Sequence, residues 1–417
     1  MPQTSPDPPS FPKLRLVEAT NVQVEGSAMV ALRDPAWPPD RAVLLSHGAL
    51  ALVSLFDGHR DRGDLQAELL RRHGELVDRE LIDTVIAQVD AALLLHSPRY
   101  DQDLEARREA FRAQPRRPLT MGDVCFPADP QAAAALLDGF FDAPGGPGRL
   151  PAAGGEAAVR GVIAPHIDYE RGAALYAQAY LKLAEGAADA ELFVILGTDH
   201  KGEVDAPFSL TDLDFETPFG RLRTDGALVR ELCDADPGLR DGELAHGPEH
   251  SLEFQVVLLH HVLGPGAEQA RILPVLCGGL TDREGRETAE RRERVEAFIN
   301  ALGLLARQRR VCFVAGADLA HLGPAFGTPR LTAASHSALE QADESTLDTL
   351  RSGDPEAFRR DISRDGNARN VCGLATIYTL LRVLDGASGE VLGYRQCPVP
   401  QDEEGGSRVS ITAVSYS

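Results

Sequence analysis

The sequence predicts an α/β protein: a mainly parallel sheet flanked by helices, preceded in the chain by a small α+β domain. The first observation is a set of continuous apolar runs. Val162-Ile163-Ala164, Leu192-Phe193-Val194-Ile195-Leu196, Ile272-Leu273-Pro274-Val275-Leu276 and Val311-Cys312-Phe313-Val314-Ala315 show no polar alternation, which is the signature of strands buried on both faces. The second is that helical stretches separate these runs, the order that produces parallel strands joined by crossover helices. The third is the alternation of polar and apolar residues over Arg408–Ser417, which reads as a closing strand.

The small domain precedes them, over residues 1–100. β-prone segments span Leu14–Val24 and Ala28–Leu32, and Ser46–Phe56 then carries apolar residues at helical spacing up to the turn Asp57-Gly58. Two more helices are expected, Asp64–Arg72 and Asp78–Leu93, the latter with Leu81, Ile82, Val85, Ile86, Val89 and Leu93 on one stripe. Two short strands and three helices are the inventory of a winged-helix domain. Residues 1–12 are polar and proline-rich, so disorder is expected there. Residues 101–118 are charged, lack apolar periodicity after Phe111 and contain Pro115-Arg116-Arg117-Pro118; they read as a linker, with the α/β domain following over 119–417.

Composition narrows the function. The 417 residues are 43% hydrophobic and 25% charged, with a net charge of −21. Residues 1–120 hold 15 basic and 18 acidic side chains, so the acidity belongs to the C-terminal part. Such a balance disfavours binding to nucleic acid or an anionic membrane, because both depend on neutralising phosphate. No apolar run approaches the roughly 20 residues of a membrane span, and Met1–Leu16 lacks the apolar core of a secretory leader. A cytoplasmic location is the expectation. The six cysteines form no C-x-x-C pair, and H-E-x-x-H, G-x-x-x-x-G-K-[ST] and G-x-S-x-G are absent. Any site is therefore assembled from distant positions.

Three expected strands end in polar equipment. Val162-Ile163-Ala164-Pro165 runs into His166, Asp168 and Tyr169; Phe193–Thr198 into Asp199 and His200; Phe313–Ala317 into Asp318 and His321. In open α/β sheets ligands bind beyond the carboxyl ends of the strands, so these residues point to one clustered site. Glu249-His250-Ser251-Leu252-Glu253 opens a helix on which His250 and Glu253 share a face; the two carboxylates also suit the positive end of the helix dipole. Cys372 precedes the helical stretch Leu374–Leu384, a place that favours a thiolate for metal ligation or nucleophilic chemistry.

In their order and spacing, Gly161-Val162-Ile163-Ala164-Pro165-His166, Ile195-Leu196-Gly197-x-x-His200, Glu249-His250-Ser251-Leu252-Glu253, Ile272-Leu273-Pro274-Val275-Leu276, Asp318-Leu319-x-His321 and Val371-Cys372-Gly373 resemble the Memo family, also called AmmeMemoRadiSam system protein B. That family is similar in fold to class III extradiol dioxygenases. The resemblance implies a metal, iron(II) or copper, held by His166, His200 and Cys372, with His250, His321 and Asp318 as catalytic candidates. Asp168, Tyr169, Asp199, Glu249 and Glu253 are further pocket candidates, and Asp318 is the expected acceptor behind a ligating histidine. It also implies a small-molecule or peptide substrate, and radical-SAM and AMMECR-type protein partners.

This chain departs from the family pattern in Ile167-Asp168-Tyr169, where Ala-Gly-Tyr is usual, in Thr198-Asp199 before His200, and in Leu322 after His321. The extra carboxylates Asp168 and Asp199 either harden the site toward iron(II) or are solvated loop residues. In the N-terminal domain, Leu44-Leu45-Ser46-His47-Gly48-Ala49, Leu55-Phe56-Asp57-Gly58 and Val89-Asp90-Ala91-Ala92-Leu93-Leu94 resemble PqqD-like domains, which recognise peptides. Two functions follow: a metal-dependent, dioxygenase-like oxidoreductase, or a non-catalytic metal- or peptide-binding adaptor.

Overall fold

The computed structural model describes residues 7–34, 42–74, 76–151, 158–187, 189–202 and 204–417. The chain divides into two compact units, Met1–Ala113 and Gln114–Ser417.

In the first unit, strands β1 (Glu18–Val24), β2 (Ser27–Arg33) and β3 (Val43–Leu45) form an antiparallel sheet in that order. Helices α1 (His47–Val53), α2 (Arg62–His73), α3 (Arg79–Ala91) and α4 (Pro98–Arg112) follow. The hairpin between β1 and β2 turns on Glu25 and Gly26, both at positive φ, as the twist of a two-residue turn requires. α2 begins with a reciprocal cap between Asp61 and Asp64. Leu32, Leu45, Val53, Leu65, Ile82, Ile86 and Val89 close the core.

Two expectations need correction. A third strand exists, too short to show a period. Residues 101–118 are not simply a linker: α4 runs through Arg112, with Ser97 as its cap and Pro98 in its first turn. Its buried residues are only Tyr100, Leu104 and Phe111, too sparse a stripe to stand out among charges. Of the stretch expected to be disordered, 1–6 lie outside the described residues, while Pro12 O accepts from the Gly58 amide at 2.9 Å.

The second unit opens with α5 (Pro130–Asp142), β4 (Gly161–Ala164), α6 (Tyr169–Gly186) and β5 (Leu192–Thr198). Three short strands, β6 (Phe208–Leu210), β7 (Phe215–Thr217) and β8 (Gly220–Leu222), lead to α7 (Gly226–Ala235) and α8 (His250–Leu263). Then come β9 (Arg271–Cys277), α9 (Ala289–Gln308), β10 (Val311–Gly316) and β11 (His321–Leu322). The chain finishes with α10 (Ala333–Ser352), α11 (Pro355–Ser363), α12 (Leu374–Leu384), β12 (Gly389–Pro398) and β13 (Arg408–Tyr416).

The sheet runs β11-β13-β4-β10-β5-β9-β6, with β12 also pairing β13. Its centre, β4-β10-β5-β9, is parallel, and β13 and β6 flank it antiparallel. Alternate strand residues enter opposite cores: Val162, Phe193, Ile195 and Val314 pack with α5, α6 and α8, while Ile163, Val194, Leu196, Phe313 and Ala315 pack with α9 and α12. Burial on both faces explains the unbroken apolar runs. Because β4, β5 and β10 are parallel, their carboxyl ends, carrying His166, His200 and Asp318, come out along one edge.

Candidate metal centre

Two glycines let α8 reach that edge. A Cβ on Gly197, in β5, would lie 2.7 Å from the Ser251 hydroxyl, and one on Gly316, ending β10, would lie 2.6 Å from the Ser251 carbonyl. Glycine alone permits so close an approach. The start of α8 therefore lies over the strand ends, with Ser251 Oγ accepting from the Thr198 amide at 3.0 Å. This brings His250 beside the other imidazoles: ring centroids are 4.9 Å apart for His166 and His200, 5.2 Å for His200 and His250, and 5.7 Å for His166 and His250.

Each imidazole has its Nδ1 engaged by the protein. His166 Nδ1 donates to the Gly316 carbonyl at 2.9 Å, and His321 Nδ1 to the Leu319 carbonyl at 3.1 Å. His200 Nδ1 donates to Glu249 Oε1 at 3.1 Å, and His250 Nδ1 lies 3.3 Å from the same oxygen. At His166 the other ring nitrogen, Nε2, receives the Cys372 thiol at 3.2 Å.

One donor atom each from His166, His200 and Cys372 lie within 4.8 Å of one another. These residues, with His250, Asp318 and His321, line a cavity of about 550 Å³ whose remaining wall includes Met121, Cys125, Phe254, Phe326 and Val409. The donor set fits a transition metal: two imidazoles whose Nδ1 atoms are held by the protein and a soft sulfur, brought together without another strong partner for the sulfur.

A family model described as Memo-like protein matches residues 116–414. The chain belongs to the Memo family. MEMO1 family proteins from Aquifex aeolicus and Thermus thermophilus are each 27% identical to it, over 387 and 333 residues, covering 92% and 80% of this chain and 94% and 92% of theirs. One from Methanopyrus kandleri is 31% identical over 288 residues, 67% of this chain and 91% of its own. The Aquifex match is longer than residues 114–417, so it extends into the N-terminal unit, whereas the Methanopyrus match is shorter than the Memo unit itself.

Within the Memo unit the electrostatics separate the imidazoles. Burial, reinforced by His200 and His250, holds His166 well below the usual histidine value and so keeps it neutral. Burial also lowers His250 and His321. At His200 burial is outweighed by the hydrogen bond and charge of Glu249, and the imidazole is raised. Glu249, though buried, is pulled down to about 2 by His200, His250 and the Ser251 amide. Burial, with Asp318 nearby, pushes the Cys372 thiol well above 9 in the metal-free protein. Desolvation thus outweighs the preference of a helix start for a thiolate, and a bound cation is what would release the proton.

Asp318 lines the cavity, but in a different role from the expected one. Its Oδ1 accepts from the His166 amide at 2.8 Å and the Ile167 amide at 3.3 Å, fixing the chain that carries His166. The acceptors behind the ligating imidazoles are the Gly316 carbonyl and Glu249.

The remaining pocket candidates disperse. Asp168 reaches the cavity wall, capping α6 through the Arg171 amide at 3.0 Å and pairing with the Arg171 side chain at 2.7 Å. Tyr169 is core: its ring packs on Phe126, Phe140, Tyr176 and Phe254, and its hydroxyl donates to the Phe254 carbonyl at 2.6 Å. Asp199 accepts from the Lys201 amide at 3.2 Å, and burial together with Glu249 raises it to about 6. Neither extra carboxylate joins the donor cluster of His166, His200 and Cys372. Glu249 lies beneath His200 and His250, outside the cavity lining.

Glu253 faces another way. It pairs with the buried Arg117, accepts from the Thr120 hydroxyl at 2.6 Å and takes the Met121 amide at 2.7 Å. Arg117, placed by the sequence in the linker, is a residue the sequence reading missed. Its Nε donates to the His246 carbonyl and its Nη2 to the Glu249 carbonyl, both at 3.0 Å, so it ties down the segment that presents Glu249 and His250. Among the described residues no helix is long and apolar enough to cross a membrane.

Proposed function

We propose that this protein is a metal-dependent redox protein of dioxygenase-like type, holding iron(II), with copper as the alternative ion, at His166, His200 and Cys372. The convergence of these three donors within 4.8 Å on the wall of a cavity carries the reading. Two imidazoles and one thiolate leave coordination positions open, and iron or copper held there supplies redox and Lewis-acid chemistry.

The chain's own residues do the rest. Gly316 O and Glu249 hold the ligating rings with Nε2 presented, and Asp318 holds the His166 backbone. Met121, Phe254, Phe326 and Val409 give the cavity an apolar side. His250 and His321 stand in its wall, placed to take a proton from a bound substrate and return it. A cavity of about 550 Å³ suits a small molecule or a peptide side chain.

The same reading places the protein in a cytoplasmic modification pathway with radical-SAM and AMMECR-type partners, its N-terminal unit acting as a PqqD-like peptide-docking module. That this unit has its own core supports the docking role and favours a second reading, a non-catalytic metal- or peptide-binding adaptor.

Anaerobic purification followed by metal analysis and oxygen-uptake assays with catechols separates the two. The enzyme reading expects near-stoichiometric iron or copper, its loss in Cys372→Ala, and metal-dependent oxygen uptake. Stoichiometric metal with no uptake, together with peptide binding by the full chain, favours the adaptor. Metal content unchanged in His166→Ala, His200→Ala and Cys372→Ala contradicts the ligand assignment.

A further inference from the structure

The three donors are not held alike. His166 and His200 each sit two residues beyond a parallel strand, whereas Cys372 lies in the irregular connection between α11 and α12. That connection passes twice through left-handed backbone, at Asn367 (φ 59°) and Asn370 (φ 51°), which asparagine tolerates better than most residues. Asn367 braces its turn, its Oδ1 accepting from the Val371 amide at 2.8 Å.

Between the two asparagines, Arg369 is only 6% exposed. Its Nη1 donates to Asp343 Oδ1 at 3.1 Å and Thr346 Oγ1 at 3.0 Å, both on α10, and its Nη2 to Asp361 Oδ2 at 3.1 Å, on α11. Asp343 also receives the Tyr394 hydroxyl of β12 at 2.7 Å. Two helices thus converge on one guanidinium, and β12 joins them through Asp343. The same stretch is joined to the segment bearing Asp318 and His321: the His321 amide donates to the Arg369 carbonyl at 2.8 Å, Asn370 Nδ2 to the His321 carbonyl at 3.2 Å, and the Gly373 amide to the Asp318 carbonyl at 3.2 Å.

We infer that Arg369 is a positioning residue: it fixes the Cys372 sulfur and the His321 imidazole against the strand-held histidines, and so sets metal affinity without touching the metal. The inference rests on the reading of Cys372 as a ligand. Lysine at this position keeps a positive charge between Asp343 and Asp361, but a point charge on a flexible stem cannot span three acceptors on two helices as a planar guanidinium does.

The test titrates cobalt(II) alone into metal-free full-length protein, following affinity and the near-ultraviolet thiolate-to-cobalt absorption, alongside hydrogen exchange of residues 364–373. Arg369→Lys is expected to lose up to about 10-fold in affinity, the low end of the range for groups that bond a metal ligand directly, because its side chain acts one step further out. Its sulfur band weakens, and exchange over 364–373 quickens while 161–164 and 192–198 stay protected. Thr346→Val keeps every buried charge but removes one of the three acceptors of the guanidinium; a smaller loss in the same direction is expected, and this variant decides should Arg369→Lys not fold. A wild-type protein without the sulfur band defeats the ligand reading itself. A wild-type band with affinity, band and exchange all unchanged in the variants overturns the positioning role.

Discussion

Glu249 and Glu253 stand one turn apart at the start of α8, both fully buried, and hold different things in place. Glu249 closes on His200, His250 and the Ser251 amide, on the side of the metal donors. Glu253 closes on Arg117, Thr120 and Met121, fastening the chain that enters the second unit. A buried carboxylate takes its role from the cation that folds against it. Helical spacing put Glu253 and His250 on one face, yet the Arg117 segment, remote in sequence, captured Glu253.

The largest effect expected from breaking this pair of roles comes from Glu253→Ala. It strands a fully buried guanidinium, and removing one partner of a buried ion pair costs about 3–5 kcal/mol. Denaturant unfolding should show that loss, while the folded fraction still binds metal stoichiometrically. Metal loss at unchanged stability would move Glu253 into the site.

Glu249→Gln should do the opposite. Metal affinity falls about 10- to 100-fold, as for other partners of ligating histidines, with a smaller loss of stability. The imidazole of His200 gives a second readout by NMR titration of metal-free protein. In the wild type it titrates above 6.5; in the variant burial is no longer outweighed, so it titrates below. The stability contribution of the pair has a definite window. The depressed Glu249 contributes fully above 4.5 and loses this as pH falls through about 2, while the raised His200 contributes fully below 6.5 and loses it as pH rises through its folded value. Their mutual stabilisation is therefore greatest between 4.5 and 6.5. The smallest effect belongs to Asp168→Ala, which removes a helix cap at a cost of about 1 kcal/mol and leaves metal binding unchanged by equilibrium titration.

The central strands and their polar ends were legible because burial on both faces writes a continuous apolar run, as in Leu192–Thr198. Elements of two or three residues, such as Val43–Leu45 and Phe208–Leu210, carry no period to read. Gly389–Pro398 was missed because it is mostly half-exposed and shifts register between Val391 and Gly393. Within the site, the strand-end histidines announced themselves by position, whereas the set of His166, His200 and Cys372 was legible only through resemblance to a family. Arg117 and Arg369 were not legible. In Arg116-Arg117 one arginine is exposed and the next fully buried, and nothing local distinguishes them, because Arg117 is buried by His246, Glu249 and Glu253, more than a hundred residues away.

X-ray absorption of the metal-loaded protein tests the centre most directly. With zinc as the probe, one sulfur at roughly 2.3 Å and imidazole nitrogens at about 2.0–2.1 Å are expected, with the sulfur absent in Cys372→Ser. A shell of nitrogen and oxygen alone in the wild-type protein would contradict the ligand assignment.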